Sequence, residues 1–462
     1  MKLPRMLITA PGSGTGKTMI TCGILQALKN RGLRVSSFKC GPDYIDPMFH
    51  REALGVSSYN LDSFLCGKSG VKELLVKNGK DTELAVIEGV MGYYDGLAGI
   101  SVEGSAYDIA DITDTPAVLV MDCKGMSVSV VPYIQGFLDY RDNSHIKGII
   151  LNRVSSGMYD RMKQMIESQT GIRVYGYVPV IKEGALESRY LGLMLPHEVK
   201  DLKNRLKQLS EKLEETLDLD ALLMLARGAS ELETDPEKKD KTDRTISCYR
   251  DLRIGIAMDE AFCFFYQDNL ELIKESGANL VPFSPIRDEK LPEDLDGLLL
   301  YGGYPELYAD ELNRNAAMRD AVRDAVKEGM PCIAECGGYM YLQEVIQNAR
   351  GECFPMVGVL PGKSYHTDSL KRFGYITLKG GMVFGKEIGA IPAHEFHYYD
   401  SEVCGDAFQA DKPLSKRSWR CMISTDTLLA GYPHIHYYGN QRVLQAYLDA
   451  CEKWKNDRGK KR

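Results

Sequence analysis

In the first half of the chain, apolar positions fall in short unbroken runs separated by helical stretches. That alternation predicts a parallel sheet covered on both faces. Residues 5–10 (RMLITA), 85–88 (AVIE), 117–121 (AVLVM), 148–152 (GIILN) and 173–177 (RVYGY) read as strands. Residues 18–30 and 158–170 read as helices, each followed soon by a glycine suited to a C-terminal cap. From 202 to 226 the leucines at 202, 206, 209 and 213 share one helical face. That face predicts a helix packing on its own domain; a seam between two copies in a homodimer is the other reading.

The stretch ELETDPEKKDKTDR (231–244) has no apolar residue after Leu232, and such polarity predicts a linker over 230–250. Beyond it the alternation resumes, with 253–258, 279–283, 297–301 and 331–335 as strands. The pattern therefore predicts two α/β domains, 1–229 and 251–462.

Composition narrows the function classes. The 462 residues are 44% hydrophobic and 26% charged, as in a soluble globular protein. A net charge of -7 without a basic stripe argues against a nucleic-acid partner. No apolar run approaches the ~20 residues that span a bilayer, and the opening MKLPR leaves no room for a signal peptide's apolar region, so a cytoplasmic location is expected. The twelve cysteines show no CxxC pair, which predicts neither a zinc knuckle nor a disulfide frame.

The segment MLITAPGSGTGKT places a strand, a glycine-rich turn and a helix start together, the arrangement of a phosphate-binding P-loop. Gly12, Ser13, Gly14, Thr15 and Gly16 would turn backbone N–H groups toward ATP phosphates, Lys17 would reach the β- and γ-phosphates, and Thr18 would bind Mg²⁺. The strict pattern has glycine where this chain has Pro11. Glu88 ends a strand at the edge where ligands bind in open α/β sheets, and a carboxylate there can hold Mg²⁺. The loop KCGPDYIDP gathers Lys39, Asp43 and Asp46, and Asn152 ends an apolar strand where it can bond adenine.

In the second half, GMPCIAECGGYMYL reads as a strand, a cysteine, two glycines and a helix, a nucleophile elbow with sulfur in place of oxygen. Cys336 would sit at a helix N-terminus, whose dipole favours thiolate. Gly337, with Gly302 and Gly303 of LYGGYPE, would supply an oxyanion hole. A histidine must relay the proton, and His434 and His436 in AGYPHIHY or His394 and His397 in AHEFHYY are the candidates. These pairs also raise a metal-site reading, but no ligand-spaced partners accompany them.

Together APGSGTGKT, KCGPDYIDP, VIEGVMGYYDG, YGGYPE, AECGGYMYL, AHEFHYY and YPHIHY resemble the cobyrinic acid a,c-diamide synthase family over nearly the whole chain. The resemblance implies a P-loop NTPase-like parallel-sheet domain followed by a class I glutaminase-like α/β domain. It implies that ATP and Mg²⁺ activate the a and c carboxylates of a tetrapyrrole, and that ammonia from glutamine displaces the phosphate. By motif, Thr18, Asp43 and Glu88 resemble Mg²⁺ contacts, and Lys39, Tyr44, Asp46 and Asp95 resemble substrate or phosphoryl-site residues. Cys336 resembles the nucleophile and His434 the catalytic histidine; related glutaminases carry a glutamate two positions later, where this chain has His436.

Cobyric acid synthase, nickel-sirohydrochlorin a,c-diamide synthase and a hydrogenobyrinate substrate are neighbouring readings. A partitioning-type ATPase is a rival of another class. It would carry a signature lysine where this chain has Gly12, and it has no use for a glutaminase half.

Overall fold

A computed structural model describes residues 1–181, 188–189, 192–193, 201–232 and 248–461. It divides into two compact units, Met1–Pro236 and Glu237–Arg462. Most of the expected linker, 233–247, lies outside the described residues.

The first unit is built on seven parallel strands, β1 (Arg5–Thr9), β2 (Val35–Cys40), β3 (Ser57–Leu61), β4 (Leu84–Glu88), β5 (Ala117–Asp122), β6 (Ile146–Asn152) and β7 (Val174–Val178), in the order β3-β2-β4-β1-β5-β6-β7. The central β1 and β4 are buried at every position, which is why they read as unbroken apolar runs. The strands β2 and β3 were not legible in that way. Their sequences, VSSFKC and SSYNL, place serines at buried positions, Ser36, Ser37 and Ser58, which breaks the apolar run, and only β3 lies at the sheet edge.

The flanking helices are α1 (Lys17–Asn30), α2 (Ile45–Leu54), α3 (Ser63–Gly79), α4 (Ala106–Thr113), α5 (Val130–Asp139), α6 (Ser156–Thr170), α7 (Leu202–Thr216) and α8 (Leu219–Arg227). The helix expected from 202 to 226 is thus two, broken at Leu217, whose backbone is extended, and restarted where the Asp218 carboxylate accepts the Ala221 N–H. Leu202, Leu206, Leu209 and Leu213 are all buried in the core of this unit. A Cβ on Gly23 of α1 would stand 2.4 Å from Leu213 Cδ1, so that glycine lets α7 close onto α1. Residues just past 229 still belong to this unit: Leu232 exchanges backbone bonds with Met1, and the buried Arg5 guanidinium donates to Ser230 O at 2.9 Å.

The second unit has a six-stranded sheet ordered Asn279–Phe283, Arg253–Ala257, Gly297–Leu300, Cys332–Glu335, Leu428–Gly431, Ile423–Ser424. All its pairings are parallel except the last. An antiparallel five-stranded sheet, ordered Ser418–Cys421, Phe408–Asp411, Gly374–Lys379, Ile391–Glu395, His434–Ile435, shares a core with it. The sequence pattern gave no sign of this second sheet, because its strands are short and half of them face water. Among the described residues no helix is long and apolar enough to cross a membrane.

Candidate active sites

Every first-unit residue singled out from sequence except Asp95, Tyr44 and the two loop aspartates sits at the carboxyl edge of the sheet or in the loop after β1, where the chain reverses its order of strands. The loop between β1 and α1 has Gly14 and Gly16 at φ 75° and 94°, a region other residues resist. Ser13 and Gly14 form its exposed tip, and the Thr15 hydroxyl donates to Gly12 O at 3.0 Å. The Lys17 ammonium curls into the loop, donating to Gly12 O at 2.9 Å and Met91 O at 2.5 Å. Burial, then the nearby Lys39 charge, lowers its pKa to about 8.

Adjacent strands bring the charged cluster together. Lys39 and Glu88 are register partners across β2 and β4. The Lys39 ammonium donates to Glu88 Oε1 at 2.9 Å and pairs with Asp46 Oδ2 at 2.5 Å, all three side chains being buried. The Thr18 hydroxyl donates to Glu88 Oε1 at 2.6 Å and stands 3.4 Å from Asp46 Oδ2. Burial works against the Lys39 charge, but Asp46 and Glu88 outweigh it and hold the ammonium charged. Burial likewise works against the Asp46 carboxylate, yet Lys39 keeps it ionised. Burial raises Glu88 to about 7.

Asp43 Oδ1 accepts the Ile45 and Asp46 N–H groups at 2.8 and 3.3 Å and so starts α2, while its charge also acts on Lys39 and Asp46. Asp46, one turn on, takes the place by Thr18, because the first turn of α2 aims it inward. Asn152 also engages the loop: Nδ2 donates to Thr15 O at 2.7 Å and Oδ1 accepts from Arg153 N at 2.9 Å, one of its two N–H groups and one of its two lone pairs. A Cβ on Gly16 would be 2.5 Å from that Nδ2, so Asn152 braces the phosphate loop. Tyr44 is buried at the N-cap of α2, and the exposed Asp95 accepts the Gly92 N–H at 2.9 Å beside the loop.

Sequence reasoning missed His50. It is fully buried, its Nε2 3.5 Å from Glu88 Oε2 and its Nδ1 2.9 Å from Ser37 Oγ, and burial lowers its pKa to about 4. Its four-residue offset from Asp46 on one helix was the available signal. The donor set fits a magnesium ion. Glu88 Oε2 has no hydrogen-bond partner, and the Asp46 and Glu88 carboxylates lie close enough to hydrogen-bond once one is protonated. A hydroxyl and one or two carboxylates completed by phosphate oxygens and water is how Mg²⁺ is commonly held. Among the described residues no cluster of three metal-ligating side chains exists, so the histidine pairs of the second unit assemble no such site.

In the second unit the strand Cys332–Glu335 ends at Cys336, whose φ of 47° and ψ of -103° put it on a sharp turn into the helix Gly337–Leu342. A Cβ on Gly338 would lie 1.8 Å from Leu300 O, so only glycine lets this turn pass beneath the neighbouring strand. Gly302 gathers the other parts: its hypothetical Cβ falls 2.7 Å from His434 Cε1 and 3.5 Å from Cys336 Cβ. The equivalent point on Gly337 is 3.1 Å from Gly303 N, so the two glycine segments pack closely, and the Gly337 N–H bonds the Cys336 sulfur. Burial, helped by Glu306, pushes the Cys336 thiol well up, contrary to the thiolate expected from a helix N-terminus. The Gly337 N–H favours the thiolate but does not offset the desolvation.

Burial lowers His434 to about 3, so its imidazole rests neutral. His394, its register partner, stacks on it with centroids 5.1 Å apart. His436 points elsewhere: its Nδ1 accepts the Tyr438 N–H at 3.3 Å and its Nε2 stands 4.0 Å from Asp268 Oδ2. The acid near His434 is instead Glu335, with Oε2 3.5 Å from Nδ1. Glu335 was overlooked although it ends an apolar strand directly before the nucleophile, where a buried charge calls for a reason. His397 is tied to Glu395 at 3.0 Å and stacks on Tyr432.

Residues 6–187 match the CobQ/CobB/MinD/ParA nucleotide binding domain, and residues 253–442 match the CobB/CobQ-like glutamine amidotransferase domain. The chain is 37% identical over 450 residues to the cobyrinate a,c-diamide synthase of Caldanaerobacter subterraneus subsp. tengcongensis, covering 96% of this chain and 98% of the relative. It is 39% identical over 457 residues to that of Listeria innocua (96% and 99% covered) and 36% identical over 472 residues to that of Thermoplasma volcanium (99% and 99%).

Proposed function

The chain belongs to the cobyrinate a,c-diamide synthase family, and on that footing we propose that it converts the a and c carboxylates of cobyrinic acid to amides, using ATP and glutamine. It is a carbon–nitrogen ligase with glutamine as amido donor. The observation that carries the reading is the pairing of a phosphate loop facing the Lys39–Asp46–Glu88 cluster with a Cys336–His434 elbow in the second unit.

In the glutaminase half, Cys336 Sγ attacks the side-chain amide carbon of glutamine while His434 takes the thiol proton. Because the thiol pKa is raised, transfer to His434 occurs as the substrate binds rather than beforehand. The Gly303 and Gly337 N–H groups hold the oxyanion, ammonia leaves with the proton from His434, and water releases glutamate from the thioester. In the synthetase half, a substrate carboxylate oxygen attacks the γ-phosphorus of ATP and ADP departs, giving an acyl phosphate. Ammonia then adds to the acyl carbon and phosphate leaves. Lys17 and Lys39 neutralise charge on the transferring group, and Thr18, Glu88 and Asp46 would hold Mg²⁺, which would supply further neutralising charge for the phosphates. In this reading residues 1–229, with Ser230 and Leu232 packed on them, form the synthetase domain, and 251–462 the glutaminase domain.

The deciding experiment separates the halves. Cys336→Ala should lose glutamine-driven amidation of cobyrinate yet retain the rate with concentrated ammonium salt. Loss of both activities together would mean that Cys336 is a packing residue. A panel of cobyrinate, hydrogenobyrinate and nickel-sirohydrochlorin, scored by ATP-dependent mass gain, fixes the substrate.

A further inference from the structure

Beside the phosphate loop the first unit carries an aromatic cavity of about 630 Å³ that none of the steps above uses. Its walls come from the segment after β4 and from α5. Tyr94 stacks on Phe137 with centroids 5.5 Å apart and meets Tyr140 edge-on at 4.8 Å, and Tyr133 lies edge-on to Phe137 at 5.7 Å. Tyr133 and Tyr140 remain 45% and 58% exposed, a large aromatic surface for a soluble unit to leave to water. The Arg141 guanidinium sits over the Tyr140 ring at 4.9 Å and forms no ion pair among the described residues.

Two further features point to a ligand rather than to a loose surface. Gly136 lies inside α5, where glycine is a poor helix former, and a Cβ there would meet no atom within 4 Å. The helix thus presents bare backbone to the cavity, as it would where a flat body lies against it. The cavity also leads to the chemistry. Asp95 is in its lining, its Oδ2 bonds Gly92 N at 2.9 Å, and a Cβ on Gly92 would fall 2.5 Å from the carbonyl of Pro11 in the phosphate loop.

We propose that this cavity holds the macrocycle of the tetrapyrrole substrate, an inference that rests on the amidating function above. A tetrapyrrole is a broad apolar disc rimmed by carboxylates. Its face would lie over Gly136 and against Tyr133, Phe137 and Tyr140, and a rim carboxylate would pair with Arg141. The carboxylate to be activated would then pass Asp95 toward Lys17. The lining also holds Asp95, Ser101 and Glu103, so what suits such a molecule is the aromatic wall of Tyr133, Phe137 and Tyr140 together with the Arg141 guanidinium.

The test uses the full-length enzyme and kinetics with cobyrinate, ATP and glutamine varied in turn. Gly136→Leu fills the open space with a better helix former, so the unit should fold as before. It should raise the KM for cobyrinate by about tenfold or more, and Tyr133→Ala and Arg141→Ala by about tenfold each. The KM values for ATP and glutamine should stay at the wild-type level in all three. An unchanged cobyrinate KM in Gly136→Leu and Tyr133→Ala overturns the site while leaving the function standing, and a parallel rise in the ATP KM reassigns the cavity to the nucleotide. A wild-type enzyme that amidates none of the tetrapyrrole acids overturns the function, and this proposal with it.

Discussion

Glu335 Oε2 lies 3.5 Å from Nδ1 of His434, and both side chains are closed off from solvent. The residue preceding Cys336 thereby faces the imidazole proposed to take its proton. The Ile435 N–H also bonds the Glu335 carboxyl, which burial pushes well above the usual carboxylate range. The separation is long for a hydrogen bond, as catalytic contacts often are before substrate tightens them. Glutaminases of this class place a glutamate two residues beyond the histidine, and here the structure offers an acid from the other strand.

If Glu335 orients the His434 ring, Glu335→Gln should lower glutamine-driven kcat by about ten- to a hundredfold, with little change in the KM for glutamine. Ammonia-driven synthesis should persist. His436→Asn should cost much less, since that ring faces Asp268. Rates measured with both nitrogen donors check this, and a Glu335 variant with wild-type glutaminase kcat would contradict it.

Asp46 and Asp43 should separate under magnesium titration. Asp46→Asn removes the carboxylate beside Thr18 and should raise the Mg²⁺ needed for half-maximal synthesis by roughly tenfold or more. Asp43→Ala removes a helix-starting acceptor, at about 1 kcal/mol of stability, and should lower the melting temperature by a few degrees with near-normal Mg²⁺ dependence. Mg²⁺ curves that shift for Asp43→Ala alone would restore the assignment drawn from the sequence.

Lys17 gives a pH dependence with a definite sign. Its free pKa is lowered to about 8, and bound phosphates favour the ammonium, so ATP binding above that pH must take up a proton. ATP affinity should be flat from pH 7 to 8 and then fall, approaching tenfold per unit. Calorimetry at pH 9 in buffers of different ionisation enthalpy should register that proton. Equal affinity at pH 7 and 9.5 would show that Lys17 keeps its charge throughout.

The amino-acid sequence by itself determined the elements whose signals are local. The unbroken apolar runs of β1 and β4 marked central parallel strands, Gly-Lys-Thr after the first of them marked the phosphate loop, and Cys-Gly-Gly after 332–335 marked the elbow. Steric demands of that kind act between near neighbours in the chain, so they leave a pattern that spacing reveals. Tertiary structure alone decided which side chains share a site. Asp43 and Asp46 are both acids of one loop, and only the direction of the first turn of α2 sends Asp46 to Thr18 and leaves Asp43 on backbone N–H groups. His434 and His436 are alternate residues of one segment, yet the chain leaves its two-residue strand after Ile435, so one ring reaches Glu335 and the other Asp268. Burial then set the protonation states of Lys17, Glu88 and Cys336, because the cost of removing a charge from water depends on everything packed around it and is written at no single position.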